Sequence, residues 1–205
     1  MVYLCCGTSL QRRRKRIVMK SLEDYCTYII DAFLQNGYLQ KKSREWYIYT
    51  LQRWFFRVVT VCLFFTVNSL IWGILPTAAF YFSFLAIRSR AGGFHASTPT
   101  KCMLLSFVVS FVGIGLSVHI AERFPIFLIV SINIASFFLI RKFCVGGSSD
   151  YTEYERKANK KIAERTTFLC AMLSMELAIF PLTVTFGVSM CSGIFIAAMA
   201  AIPRK

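Results

Sequence analysis

The feature that most limits what this chain can become is a series of apolar runs, at about 54–75, 77–87, 103–121, 125–140, 167–180 and 182–202, parted by short polar breaks. A helix needs roughly 17 to 25 residues to cross the hydrocarbon layer. Several such runs in series do not suit a water-soluble core. Hydrophobic residues make up 56% of the 205, with 20 Phe among them, above the usual soluble share. A backbone in lipid must satisfy its own hydrogen bonds, so long apolar runs of this kind become helices. The expected fold class is all-α: a polytopic membrane helix bundle with about six transmembrane segments plus an N-terminal amphipathic helix. The run 77–87 is short for a crossing. It either starts before Pro76 or forms a tilted, broken segment.

Charge supports this layout. The chain holds 24 Lys and Arg against 10 Asp and Glu, a net +14. If both termini lie on one side, every Lys and Arg except Arg123 falls on that side. Cytoplasmic loops collect Lys and Arg in this way. The expected location is therefore the cell membrane, multi-pass, with both termini and the stretches 88–102 and 141–165 in the cytoplasm. The same sorting explains the basic balance without nucleic acid, which is excluded as a partner.

Residues 1–20 read as a basic tail that leads into a polar amphipathic stretch rather than an apolar signal core, so no cleavable signal peptide is expected. Met19 is an alternative start. Residues 21–205 read as one membrane-embedded domain. Within it, Leu22, Tyr25, Cys26, Ile29, Ile30, Phe33 and Leu34 recur at helical spacing over 21–40, with Ser21 as a cap and Asn36-Gly37 as a stop. Such a helix lies on the membrane surface or is an ordinary half-buried one. Trp46, Tyr47, Tyr49 and Trp54 mixed with Lys41, Lys42, Arg44, Arg53 and Arg57 mark an interfacial belt. Residues 146–165 read as a polar loop.

Eight cysteines are present without paired spacing, most of them in or beside apolar runs, where Cys acts as a small hydrophobe. No disulfide framework or metal site is expected; two His in all are too few for a zinc site.

One polar island interrupts the apolar pattern: RSRAGGFHASTPTKC, from Arg88 to Cys102. On one continuous helix His95 and Cys102 would be about 10.5 Å apart along the axis, beyond hydrogen-bond reach. Ser97-Thr98-Pro99, however, reads as a cap followed by proline at the first helical position. The helix then starts near Pro99, and a loop containing Gly92 and Gly93 can return His95 to Cys102. In the first turn of a helix the dipole favours thiolate over thiol, which suits an activated nucleophile. The plain alternatives are a structural cysteine, an interface histidine and ordinary flanking charges. His119 and Cys170 and Cys191 lie within apolar runs and read as packing. Glu176, a carboxylate inside such a run, is costly there and often functional.

The pattern R88-x4-G93-x-H95-A96-x5-C102 after a short apolar segment resembles the accessory gene regulator B (AgrB) family, and the order of parts agrees from about residue 21 onward. The resemblance implies a membrane cysteine endopeptidase that processes quorum-sensing propeptides. It implies His95 and Cys102 as catalytic residues, Arg88 and Gly93 as supporting ones, and Lys157, Lys160 and Lys161 as substrate-binding. It further implies a propeptide partner with an amphipathic leader and acidic tail, contact with membrane lipid, a homodimer and no cofactor. The chain departs from many members at the start of the basic loop, where Gly146-Gly147-Ser148-Ser149 replaces a proline-rich segment. The competing reading is a non-enzymatic transporter or export subunit, in which Pro76, Pro181 and Glu176 would serve broken helices and a polar path.

Overall fold

The computed structural model describes residues 24–37, 44–92, 99–123, 125–144, 146 and 152–202. Among these the secondary structure is entirely helical. The helices are α1 (residues 24–35), α2 (Arg44–Trp72), α3 (Ile74–Ala91), α4 (Pro99–Ile120), α5 (Ile126–Phe143), α6 (Glu153–Ile179) and α7 (Val184–Ala200), with a single 3-10 turn at Ala121–Arg123. The chain divides into two units, Met1–Cys62 and Leu63–Lys205. The expected basic tail, residues 1–20, lies outside the described residues.

In the first unit α1 stops where the sequence predicts. The Asn36 side chain donates to Ala32 O at 2.7 Å, and Gly37 turns the chain at φ 73°. Only part of the apolar stripe is covered. Cys26 and Ile30 are buried, while Tyr25 and Phe33 remain 71% and 48% exposed. Asp31 on α1 accepts two bonds from Arg44, at 2.6 and 2.7 Å, where α2 begins. The fork of a guanidinium matches a carboxylate in this two-point way.

In the second unit α7 is the central helix, packed by α3, α4, α5 and α6. Its sequence explains why. Glycine and small residues allow backbones to approach closely, the main source of helix packing where lipid is as apolar as the side chains. A Cβ on Gly193 would lie 2.3 Å from Ser83 Oγ and 2.6 Å from Phe80 O of α3. One on Gly187 would lie 2.6 Å from Ala178 N of α6. Polar side chains point inward. Ser83 donates to Met190 O at 3.0 Å, Ser174 to Gly187 O at 3.1 Å, and Asn133 to Ser174 Oγ at 3.2 Å. Each such link contributes about 0.6 kcal/mol on average in a membrane protein. Large apolar side chains point outward instead, among them Leu70, Phe82, Leu104, Phe127 and Leu169. This is the reverse of a soluble core, and it suits lipid as the surrounding solvent.

Among the described residues, three helical stretches are long and apolar enough to cross a membrane: Arg44–Trp72, Met103–Arg123 and Ile126–Phe143. Val184–Ala200 is apolar but shorter. Two predicted boundaries move. The break expected at Pro76 falls at Gly73, whose φ of 92° suits glycine, and Pro76 sits in the first turn of α3. Proline is tolerated there because first-turn N–H groups have no helical acceptor. The second apolar segment therefore starts before Pro76, the first of the two expected alternatives, and runs as an 18-residue helix, Ile74–Ala91. The loop expected over 146–165 is helical from Glu153 onward. A capping box starts it: Thr152 N–H donates to Glu155 Oε2 at 2.8 Å, and Glu155 N–H donates to Thr152 Oγ1 at 3.3 Å. Reciprocal bonds of this kind satisfy two otherwise unpaired donors at a helix start.

Candidate functional site

The island lies between α3 and α4. Its N-terminal edge is held firmly. Arg88, half-buried in the last turn of α3, donates to the carbonyl of Gly92. Gly92 ends the helix at φ 68° and ψ −151°, a conformation that favours glycine. The carbonyl of Ala91 accepts from the buried Cys144 thiol at 3.5 Å. Arg90 donates to Asn159 Oδ1 at 3.1 Å, and Asn159 Nδ2 donates to Gly146 O at 3.4 Å. The last turn of α3, the end of α5 and the first turns of α6 therefore meet at one end of the bundle. Buried Ala91, Cys144, Ala163 and Ala201 share a core there.

The C-terminal edge of the island is the start of α4. The helix begins at Pro99, as the Ser-Thr-Pro pattern predicts, and Cys102 falls in its first turn. Gly93 and His95 lie outside the described residues, as do the side chains of Lys101 and Cys102. Arg88 is the one supporting residue whose contacts are in view.

The basic run is helical. Lys157, Lys160 and Lys161 occupy the first three turns of α6. Spacings of three and four place them on one side of the helix. Lys157 is exposed and pairs with Glu153 at 2.7 Å. Lys161 is exposed and Lys160 half-buried. Burial pushes the Cys144 thiol above its ordinary range, while a hydrogen bond from the Gly146 backbone and the charge of Lys160 pull it back. Lys160 thus stands near the junction that holds Ala91. Gly146 joins α5 to α6 at φ 75°, and a Cβ there would lie 2.2 Å from Arg156 O. Gly146, the first residue of the departure from a proline-rich start, therefore has a local role. It lets the turn after α5 lie directly on the α6 backbone.

Two residues single out the opposite end. His119 is exposed in the last turn of α4, its ring edge-on to Trp72 at 5.5 Å between centroids. Seventeen residues of helix separate it from Cys102, roughly 25 Å. Glu176 is exposed late on α6. Asn159 and Cys144 carried no motif in the sequence. The Thr152-x-x-Glu155 pattern was the one available signal that this segment is helix and that Asn159 lies on it.

These features describe an all-α membrane helix bundle with a polar junction at the end bearing the island. The sequence matches the accessory gene regulator B family over residues 26–202, and the chain belongs to that family. Membership supports a role in accessory gene regulator quorum sensing and an association with peptide processing. Neither the comparison with curated proteins nor that with solved structures gave a match.

Proposed function

We propose that this protein is a membrane cysteine endopeptidase that removes the C-terminal tail of a quorum-sensing propeptide and supports closure of the remaining peptide into a ring. The observation that carries the reading is the place of Cys102. It lies in the first turn of α4, one connection beyond the α3 end that Arg88 and Cys144 hold. In this reading His95 takes the proton of the Cys102 thiol. The thiolate attacks a propeptide carbonyl, and the tail leaves as an amine protonated by His95. The acyl group is now a thioester on Cys102. A thiol or hydroxyl of the peptide attacks that thioester, a ring forms, and Cys102 recovers its proton. Exchange of one thioester for another is nearly neutral in bond energy, so no ATP is required. Water must be kept out for the ring to win over hydrolysis.

Lys157, Lys160 and Lys161 attract the acidic tail and bring it to the same end of the bundle. The charge sorting supports six crossings with both termini and the site in the cytoplasm. Length supports α3 as one of them, since 18 residues span about 27 Å. The transporter reading loses two of its supports. Pro76 and Pro181 fall at helix ends rather than within spans, and Glu176 faces away from the buried core.

The test is co-expression with a propeptide that has an amphipathic leader and an acidic tail, read by mass spectrometry. Wild type releases the tail, while Cys102→Ser and His95→Ala leave the propeptide whole. Continued cleavage by Cys102→Ser removes Cys102 as the nucleophile and restores the transporter reading.

A further inference from the structure

We propose that the groove between α5 and α6 binds one anionic phospholipid, with Arg141 and Arg165 on its phosphate and Phe137, Phe168 and Leu169 along an acyl chain. The site uses none of the residues assigned to peptide cleavage, so it stands or falls apart from the endopeptidase reading.

The groove has a volume of about 430 Å³ and is lined by Phe137 of α5 and by Glu164, Arg165, Phe168 and Leu169 of α6. That lies within the range of small-molecule sites, roughly 300 to 1,000 Å³. The Phe137 and Phe168 rings meet edge-on at 6.4 Å between centroids. Phe168 and Leu169 remain 55% and 66% exposed. Helix α5 is long and apolar enough to cross a membrane, so the medium over these side chains is lipid.

Any lipid-facing helix touches acyl chains. What sets this groove apart is the charge at one end of it. The two helices run antiparallel. Asn133 bonds Ser174, Phe137 meets Phe168, and Cys144 and Ala163 share a core. Arg141 falls between the last two positions on α5, and Arg165 falls between them on α6. The two arginines therefore stand at the same level. Arg141 is four residues from Phe137, and Arg165 is four from Leu169. That spacing puts each cation on the same side of its helix as its apolar neighbour, about 6 Å further along the axis. Both arginines are exposed, and among the described residues neither forms an ion pair.

This step from arginine to aromatic side chain matches the step from headgroup to acyl chain. Helix α5 ends two residues past Arg141, and α6 is polar before Arg165. Guanidinium groups grip phosphate oxygens by two points at once. Basic pockets between membrane helices on the cytoplasmic side bind acidic headgroups for this reason. Charge also selects the kind of lipid. Lys142, seated over the Phe143 ring at 5.2 Å, adds a third cation, and the half-buried Glu164 is the one carboxylate in the lining. Three cations against one carboxylate leave an excess of two positive charges. A headgroup that carries its own ammonium gains less from that field than an anionic one.

The experiment is native mass spectrometry of the full chain in detergent micelles, titrated with phosphatidylglycerol, phosphatidylcholine or glycerol phosphate. It compares wild type with Arg141→Gln/Arg165→Gln, Leu169→Trp and, at the opposite end of the bundle, Arg123→Gln. Wild type is expected to hold one phosphatidylglycerol at least about tenfold more tightly than phosphatidylcholine. The double glutamine variant should weaken phosphatidylglycerol by about twenty- to thirtyfold, because each cation near an anionic headgroup contributes about fivefold. Arg123→Gln should leave binding unchanged. Leu169→Trp fills the groove with every charge intact and should also weaken phosphatidylglycerol. Tm in the same micelles identifies a variant that fails to fold; Leu169→Phe then takes the place of Leu169→Trp. Equal retention of the two lipids by wild type overturns the proposal, as does full binding by the double variant. An equal loss in Arg123→Gln assigns the preference to overall charge and overturns it too. Unchanged binding in both Leu169 variants removes the groove, and displacement by glycerol phosphate at equal concentration makes the ligand a soluble phosphate. A second copy of the chain bound in place of lipid, and lost in Leu169→Trp, gives the groove to a dimer and overturns the lipid site.

Discussion

Gly193 of α7 and Ser83 of α3 are so close that a Cβ on the glycine would lie 2.3 Å from the serine Oγ. Ser83 also donates to Met190 O at 3.0 Å, so contact and hydrogen bond fall in the same stretch of the α3–α7 interface. Gly193→Ala forces the two helices apart, because Phe80 O is a second obstacle at 2.6 Å and belongs to backbone. Overpacking of this kind costs about 1–3 kcal/mol. The expected result is a clearly lower unfolding temperature in micelles for Gly193→Ala. Ser83→Ala, which removes only a hydrogen bond, should be much milder. Equal unfolding temperatures for Gly193→Ala and wild type would show that the helices do not pack this closely.

Gly146→Ala places a side chain where φ is 75° and Arg156 O would be 2.2 Å away. The turn after α5 must lift from α6, and Gly146 O withdraws from Asn159. Propeptide cleavage is expected to fall by more than about tenfold, since small displacements of a reacting group are expensive. The assay is the same tail-release measurement by mass spectrometry. Full activity in Gly146→Ala would mean that this turn has no part in placing the site.

The capping box at the start of α6 leads to a different signature. Thr152→Ala removes the oxygen that accepts from Glu155 N–H, at a cost of about 1 kcal/mol. The first turns fray, and Lys157, Lys160 and Lys161 lose their common side. If these lysines hold the acidic tail, KM rises while kcat changes less. A fall in kcat at constant KM would assign the lysines to something other than tail binding.

The sequence made helix ends legible where Pro or Gly fixes the backbone. Pro99 opens α4, Pro181 separates α6 from α7, and Gly37 closes α1, as read. The segment starts before Pro76, one of the two expected alternatives, because Gly73 supplies the unusual φ and proline is equally at home in a first turn. The polar stretch after residue 152 reads as loop by its charge, whereas the structure starts a helix there on the Thr152–Glu155 capping box. Of the candidate site, His95 and Cys102 could be named from their motif alone. The contacts of Asn159 with Arg90 and Gly146 could not, since they join segments far apart in sequence and neither partner carries a distinctive pattern. Lipid-facing and core-facing positions were equally illegible: both are apolar, and small residues such as Gly187 and Gly193 reveal the packed face only once α3 and α6 are in place.

Asp31 and Arg44 set a pH dependence for the first unit. The Arg44 guanidinium, hydrogen-bonded to Asp31, holds its carboxyl below the ordinary range. A carboxyl lowered on folding favours the folded form above its unfolded value, about 3.9. That contribution disappears as pH falls through the lower folded value. Protection of residues 24–37 from hydrogen exchange should therefore be constant from pH 7 to about 5 after correction for intrinsic rates, and weaken in more acid solution. Asp31→Asn should weaken it at neutral pH and flatten the acid dependence. An acid dependence that persists unchanged in Asp31→Asn would place its origin in another group.

Cys144 offers a check on the junction that needs no substrate. Burial raises its thiol, which lowers the thiolate available for alkylation, while Lys160 opposes the rise. Thiolate, not thiol, reacts with maleimides. In native micelles at pH 8, labelling of Cys144 is expected to lag its rate in the unfolded chain by at least about tenfold. Lys160→Ala removes a charge that favours thiolate and should slow native labelling further. Ala91 O accepts from this same thiol, so a loosened α3 end should expose it. Gly146→Ala should then speed the labelling, and Lys160→Ala and Gly146→Ala move the rate in opposite directions. If both variants speed it, Lys160 acts on Cys144 by packing rather than by charge.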